Sequence, residues 1–286
     1  MSQIVSSGPS FSKILLGLDG SDYTQSATQY ACQIASKHQA EITGMAIIDM
    51  PGIGSFGGPA PIGAIHYSKE AEKQRIEKAQ EKAVKILQSF EETCKLENVN
   101  YNIHADTGRP FEEIVDESKY HDFIVVGQQT FFQYNPDGEP DETLDKLLTL
   151  GMTPILAVPD YTRDINRILV AYDDSVQSAR SIQMFLMLNI WNQCEITILN
   201  VNDDKDKGLQ LLKKLEGYFT SYGVGTQDLC CIKGDPSSEI MSQIQELSID
   251  LLVMGAYGRN DIVKFFFGSV TQQILEQANI PVLLYH

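Results

Sequence analysis

The sequence predicts an α/β protein built twice over: two tandem open parallel sheets of five strands, each with helices on both faces. Two observations carry this prediction. Short apolar strands alternate with helical patterns, as in parallel β structure joined by right-handed crossovers. Four sequence patterns also recur in the same order in the two halves of the 286-residue chain, the mark of a tandem duplication.

The first pattern, Lys13-Ile14-Leu15-Leu16-Gly17-Leu18-Asp19-Gly20-Ser21, returns as Arg167-Ile168-Leu169-Val170-Ala171-Tyr172-Asp173-Asp174-Ser175. Both read as buried strands ending in an Asp, with a Ser to cap the next helix. Gly108-Arg109-Pro110-Phe111-Glu112-Glu113-Ile114 is echoed by Gly234-Asp235-Pro236-Ser237-Ser238-Glu239-Ile240, with Pro suited to a first helical turn. His121-Asp122 followed by Phe123 to Gly127 matches Ile249-Asp250 followed by Leu251 to Gly255, and Thr153-Pro154-Ile155 matches Ile280-Pro281-Val282. Strands are therefore placed near 13–18, 41–48, 99–104, 122–127 and 154–158, then near 167–172, 195–201, 228–232, 250–255 and 281–285. Asp160 to Asp164 reads as a linker, dividing the chain into domains 1–160 and 161–286.

A long amphipathic helix before the third strand carries Ile76, Ala79, Ala83, Ile86, Leu87 and Phe90 on one face. The Gly/Pro-rich stretch Pro51 to Gly63 reads as a loop, and either a lid or a plain surface connection fits it. Trp191 reads as a packing residue, His121 as structural or solvated, and most of the Phe265-Phe266-Phe267 run as core beneath a loop, with an exposed docking surface as the alternative.

A net charge of −16 and a pI near 4.6 argue against nucleic acid as a partner, which needs clustered Lys and Arg. Phosphate ligands stay open, because backbone amides and helix N-termini bind anions without net positive charge. No apolar run approaches the roughly 18 residues of a membrane span, and Met1 to Ser12 lacks the pattern of a secretory signal, so a cytoplasmic protein without membrane partners is expected. The five cysteines include no Cys-x-x-Cys pair and read as free thiols in a reducing compartment; Cys230 and Cys231, adjacent on a strand, point to opposite faces.

The most informative motif is Gly255-Ala256-Tyr257-Gly258, nine residues, then Gly268-Ser269-Val270-Thr271, following the apolar run Leu251 to Met254. Glycines let backbone approach a bulky anion, and a Gly-Ser-x-Thr helix start offers amides and hydroxyls to phosphate oxygens. The first half departs from it. Gln128, Gln129 and Thr130 follow Gly127, and counting back from the shared proline puts Asp141 and Glu142 where Gly268 and Ser269 stand. With Asp137 and Glu139 nearby, these carboxylates are expected to repel phosphate at a cost of several kcal/mol, on the order of low-dielectric Coulomb energies. The same acidic loop fits a helix start, a divalent cation or a basic partner.

These motifs resemble the universal stress protein family, whose ATP-binding members carry Gly-x-x-Gly, nine residues, then Gly-Ser or Gly-Thr. The resemblance spans nearly the whole chain as two tandem domains. It implies a Rossmann-like adenine-nucleotide-binding fold with strand order 3-2-1-4-5 in each. It further implies that Asp173 meets the adenosine, that Ala171 and Val201 line the adenine, and that Gly255, Gly258, Gly268, Ser269, Val270 and Thr271 hold ribose and phosphates. Arg259 or Lys264, inside the same loop, could add positive charge, or both could be solvated loop ends. The ligand implied is ATP, with ADP or AMP as alternatives, together with Mg²⁺, bound in the second domain only. The last strands are expected to pair the domains as a pseudo-dimer and to support homodimers. No Gly-x-Ser-x-Gly elbow, nucleotide-hydrolase P-loop or metal-spaced histidine set is present, so a nucleotide-dependent regulator of a protein partner is expected, with at most weak ATPase activity. A slow ATP hydrolase and a protein-interaction adapter with a vestigial site stand as alternatives.

Overall fold

The computed structural model describes residues 11–49, 65–132, 141–256 and 269–286. The first half contains β1 (Lys13–Gly17), α1 (Asp22–His38), β2 (Glu41–Asp49), α2 (Ile65–Leu96), β3 (Asn100–Gly108), α3 (Pro110–Ser118), β4 (Phe123–Gly127), α4 (Thr143–Leu150) and β5 (Ile155–Val158). The second contains β6 (Arg167–Ala171), α5 (Val176–Leu188), β7 (Glu195–Val201), α6 (Lys205–Ser221), β8 (Asp228–Ile232), α7 (Pro236–Glu246), β9 (Leu251–Gly255), α8 (Ser269–Gln277) and β10 (Val282–Tyr285).

All ten strands fall where the sequence places them, although β3 is largely polar. The third runs on to Gly108, past the expected end, because β2 pairs with it residue for residue from Glu41↔Asn100 to Asp49↔Gly108. Helix starts follow the local chemistry. Pro110 and Pro236 occupy first turns, where no backbone N–H is missed, and Asp235 accepts from Ser238 N at 3.1 Å. Ser175 caps α5 as expected, accepting from Ser178 N at 3.1 Å. Ser21 stands at the N-cap position of α1 without a side-chain cap bond; its hydroxyl instead donates to Asp19 Oδ1 at 2.7 Å.

Each half has strand order 3-2-1-4-5, but the two expected sheets are one. The order is β3-β2-β1-β4-β5-β10-β9-β6-β7-β8, parallel throughout except at the centre. There β5 and β10 pair antiparallel, with Ala157↔Val282, Leu156↔Leu283 and Ile155↔Leu284 in register. β5 is buried throughout and β10 as far as Leu284; the two would otherwise be open apolar edges, and joining them satisfies both ladders.

Alternation along the strands sorts the core into two layers. Ile14, Leu16, Leu156 and Leu283 face α1, α2, α5 and α6; Leu15, Ile155, Leu252 and Leu284 face α3, α4, α7 and α8. Both layers run across the central junction. Further bonds cross it: Gln128 Nε2 donates to the Ile280 carbonyl at 2.8 Å, and His38 Nε2 to that of Ile190 at 3.2 Å. On α2, Ala79, Ala83, Leu87 and Phe90 are buried with Ile86 beside them. Trp191 stacks on Phe185, with ring centroids 6.2 Å apart. His121 is pinned between the Glu117 carbonyl and the Thr43 hydroxyl, each at 2.9 Å, a structural role. Cys230 and Cys231 do face opposite layers. Among the described residues no helix is long and apolar enough to cross a membrane. The 51–63 loop and the Phe265 to Phe267 run lie outside the described residues.

Candidate functional site

Ligands of open parallel sheets meet the C-terminal ends of the strands beside the point where strand order reverses, here between β6 and β9. In the second half this end carries Ala171, Asp173, Val201 and Gly255. Tyr172 N donates to the Leu199 carbonyl at 2.9 Å, holding β6 against β7 up to the reversal. Asp174 then turns the chain with φ 66°, the left-handed conformation that Gly20 supplies in the first half at φ 73°. The turn leaves Asp173 exposed, with one oxygen accepting from Ser175 N at 3.0 Å. Ala171 and Val201 are half-buried at the margin of the α7/α8 layer, so their outer surfaces face the strand ends.

Gly255 has a packing reason of its own: a Cβ there would come within 2.6 Å of Ser178 N, so only glycine lets β9 run this close to α5. Val270 is half-buried on the α7/α8 layer. Thr271 is buried, and its hydroxyl donates to the Ala256 carbonyl at 2.6 Å, tying the start of α8 to the end of β9. Ser269 begins α8. Gly258, Arg259, Lys264 and Gly268 lie outside the described residues. The structure thus brings Ala171, Asp173, Val201 and Gly255 to one end of the sheet.

The matching place in the first half is built differently, and sequence reasoning missed how. Asp19, equivalent to Asp173, is only 4% exposed. Its Oδ1 accepts from Ser21 N at 3.0 Å and from the Ser21 and Thr24 hydroxyls at 2.7 Å each; its Oδ2 accepts from Phe131 N at 2.7 Å. Phe131 and Phe132 are buried, and the Phe132 ring lies against Gly17, where a Cβ would come 3.0 Å from Cζ. Asp141 completes the closure. It accepts from the Thr130 hydroxyl at 2.7 Å, Phe132 N at 2.6 Å and Thr143 N at 2.8 Å.

The expectation about Asp141 and Glu142 therefore needs correcting. Asp141 does not stand as a bare repelling charge. Its carboxylate takes for itself the loop and helix-start N–H groups that an anion would need, and so it serves the start of α4. Glu142 turns to solvent and pairs with Lys146 at 3.0 Å. Asp137 and Glu139 lie outside the described residues. The spacing Asp19-Gly20-Ser21-x-x-Thr24 was the available signal, since it surrounds one carboxylate with short-range donors.

One carboxyl group in this region carries a cost. Burial, then the charges of Glu142 and Asp141, push the Asp145 carboxyl up to about 6. An acid raised in the folded state binds protons that the unfolded chain has released, so stability falls as pH climbs from the unfolded value towards 6 and stays reduced above it. Asp145→Asn is expected to raise the urea midpoint above about pH 6 and to leave it unchanged below about pH 4. Equal gains at both pH values would show that the charge is not the cause.

A doubled, parallel-dominated open sheet with helices on both faces defines the class: a tandem α/β protein whose two halves share strand order 3-2-1-4-5. The universal stress protein family model matches residues 10–130 and 213–286, and the chain belongs to that family. It is 25% identical to universal stress protein Slr1230 of Synechocystis sp., covering 95% of this chain and 99% of that protein. A universal stress protein structure from Archaeoglobus fulgidus matches with a TM-score of 0.70 at 19% identity, covering 96% of this chain and 97% of the other. Another solved universal stress protein, in complex with cAMP, covers 43% of this chain with a TM-score of 0.38 at 20% identity.

Proposed function

We propose that the second half binds an adenine nucleotide, ATP with Mg²⁺, that the first half binds none, and that occupancy is a signal read by a protein partner. The observation that carries this reading is the contrast between two equivalent acids. Asp19 is buried and spends both oxygens on its own half, whereas Asp173 is exposed with an oxygen to spare at the strand ends. Asp173 accepts from the adenosine, Ala171 and Val201 flank the base, and the glycine loop with Gly255, Gly258 and Gly268 takes the phosphates at the start of α8. Ser269, Val270 and Thr271 form that helix start, and Arg259 adds charge from the loop.

Among the described residues no group of His, Cys, Asp and Glu is placed to hold a metal ion. Mg²⁺ needs none, since it is commonly carried by substrate phosphates and water. The division into units 1–160 and 161–286, a cytoplasmic setting and a homodimer belong to the same reading; five free thiols suit a reducing compartment.

Isothermal titration with Mg-ATP is expected to give one site per chain. Asp173→Ala is expected to weaken it about tenfold or more, the scale of one lost hydrogen bond to a charged group. Gly268→Asp is expected to abolish it. Two sites per chain, or unchanged affinity in both variants, would overturn the assignment.

A further inference from the structure

Asn200 is a polar side chain in a layer of the core that is otherwise apolar. It stands on β7 one residue before Val201, shares the face of Ile198 by strand alternation, and is only 2% exposed. Its Nδ2 donates to the Tyr172 carbonyl at 2.6 Å. Reversing the amide would set oxygen against oxygen, so the partner fixes which end donates. The Oδ1 atom is buried and accepts no hydrogen bond from the described residues. A Cβ at Gly208 would come within 2.8 Å of that oxygen, so glycine in the first turn of α6 is what lets the helix close over it. A buried carbonyl oxygen without a donor destabilises a fold, and its presence calls for a reason.

The first half shows that the layer itself does not require the amide. β1 and β2 are in register as far as Gly17↔Met45, and β6 and β7 as far as Ala171↔Leu199, so Asn200 corresponds to Ala46 and Tyr172 to Leu18. In both halves the next N–H continues the ladder: Leu18 N donates to the Met45 carbonyl and Tyr172 N to the Leu199 carbonyl, each at 2.9 Å. The carbonyls that follow are treated differently. That of Tyr172 takes the side chain of Asn200, whereas Ala46 has no donor to offer that of Leu18. In the first half the acid holds the turn instead, because Asp19 accepts from Ser21, Thr24 and Phe131 N. Among the described residues Asp173 accepts only from Ser175 N. The same turn is thus anchored by its carboxylate in one half and by the preceding peptide in the other.

We propose that Asn200 is a positioning residue for the second-half site, an inference that rests on the reading of Asp173 as a nucleotide contact. Its amide holds the Tyr172 carbonyl, and the Asp173 carboxylate is thereby left free for a ligand. The planar peptide is the lever. Its carbonyl belongs to Tyr172 and its N–H to Asp173, so fixing one end fixes the plane from which the Asp173 side chain departs. The Tyr172 hydroxyl braces the far side of the turn by donating to Asp174 Oδ1 at 3.2 Å, where the backbone takes its left-handed step. An acid held ready by its neighbours binds without first having to be ordered. The unpaired Oδ1 is then the cost of having a donor at this depth, and the first half, whose acid is already occupied, carries alanine there.

A double-mutant cycle in the full-length protein, read by isothermal titration with Mg-ATP, tests this. Asn200→Ala, which installs the residue that the first half folds with, is expected to weaken binding about tenfold. In an Asp173→Ala background the same substitution is expected to change affinity by less than about twofold, because its effect passes through the acid. Equal losses in both backgrounds would make Asn200 an independent contact or a general prop, and either overturns the inference. So does a loss of affinity with Asp173→Ala but none with Asn200→Ala, a result that leaves the nucleotide reading standing. Wild-type protein that takes up no Mg-ATP, or whose affinity survives Asp173→Ala, would overturn that reading and this inference with it. Circular dichroism melting without nucleotide supplies the second measurement. The melting temperature of Asn200→Ala is expected not to fall, since the unpaired oxygen leaves with the amide. A fall of more than a few degrees would assign Asn200 to stability and refute the positioning role.

Discussion

Asp19→Ala is expected to destabilise the protein by on the order of 3 kcal/mol or more, whereas Asp173→Ala should cost under about 1 kcal/mol. The two acids hold equivalent positions at the ends of β1 and β6, so the sequence alone gives them equal weight. Their surroundings do not. Removing Asp19 leaves the Phe131 N–H buried without its acceptor and frees the Ser21 and Thr24 hydroxyls from a shared anchor. It also releases the segment that packs Phe132 against Gly17. Removing Asp173 costs one contact, from Ser175 N, at a position water already reaches. Urea denaturation of both variants measures the difference. Similar losses would mean that the first site is not held shut by its acid, and the case for a single nucleotide site would lose its main support.

That contrast also marks where sequence reading reaches its limit. Strand positions were legible because apolar runs such as Ile14 to Leu16 and Leu251 to Met254 must be buried wherever the chain folds, and the repeat doubled every signal. The glycine spacing beginning at Gly255 was legible as a resemblance. The direction in which Asp141 points was not. A carboxylate beside Glu142 looks like accumulated charge in one dimension, and only the fold brings Thr130, Phe132 and Thr143 round it as donors. Gly255 shows the same gap from the other side: its motif suggests a ligand, while its packing against Ser178 N requires glycine with or without one. The merging of two sheets into one was foreshadowed by the apolar last strands, but register and direction at β5 and β10 are properties of the assembled chain.

The merged sheet carries the second large expectation. Leu156 and Leu283 face each other across the antiparallel junction, both essentially unexposed and both in the layer beneath α1 and α5. Truncating either leaves a cavity in a core that belongs to both halves, so Leu156→Ala is expected to cost about 2–5 kcal/mol. Where that loss appears is the more telling result. The chain has one tryptophan, Trp191, lying in the second half and stacked on Phe185, so its fluorescence reports that half alone. If the continuous layers and the Gln128–Ile280 and His38–Ile190 bonds make the halves one cooperative unit, a first-half mutation must shift the Trp191 midpoint as far as the far-ultraviolet circular dichroism midpoint. A Trp191 transition that stays at its wild-type midpoint while circular dichroism becomes biphasic would mean that each half folds alone. The pairing of β5 with β10 would then be a docking contact, and nucleotide binding in the second half would have no thermodynamic route to the first.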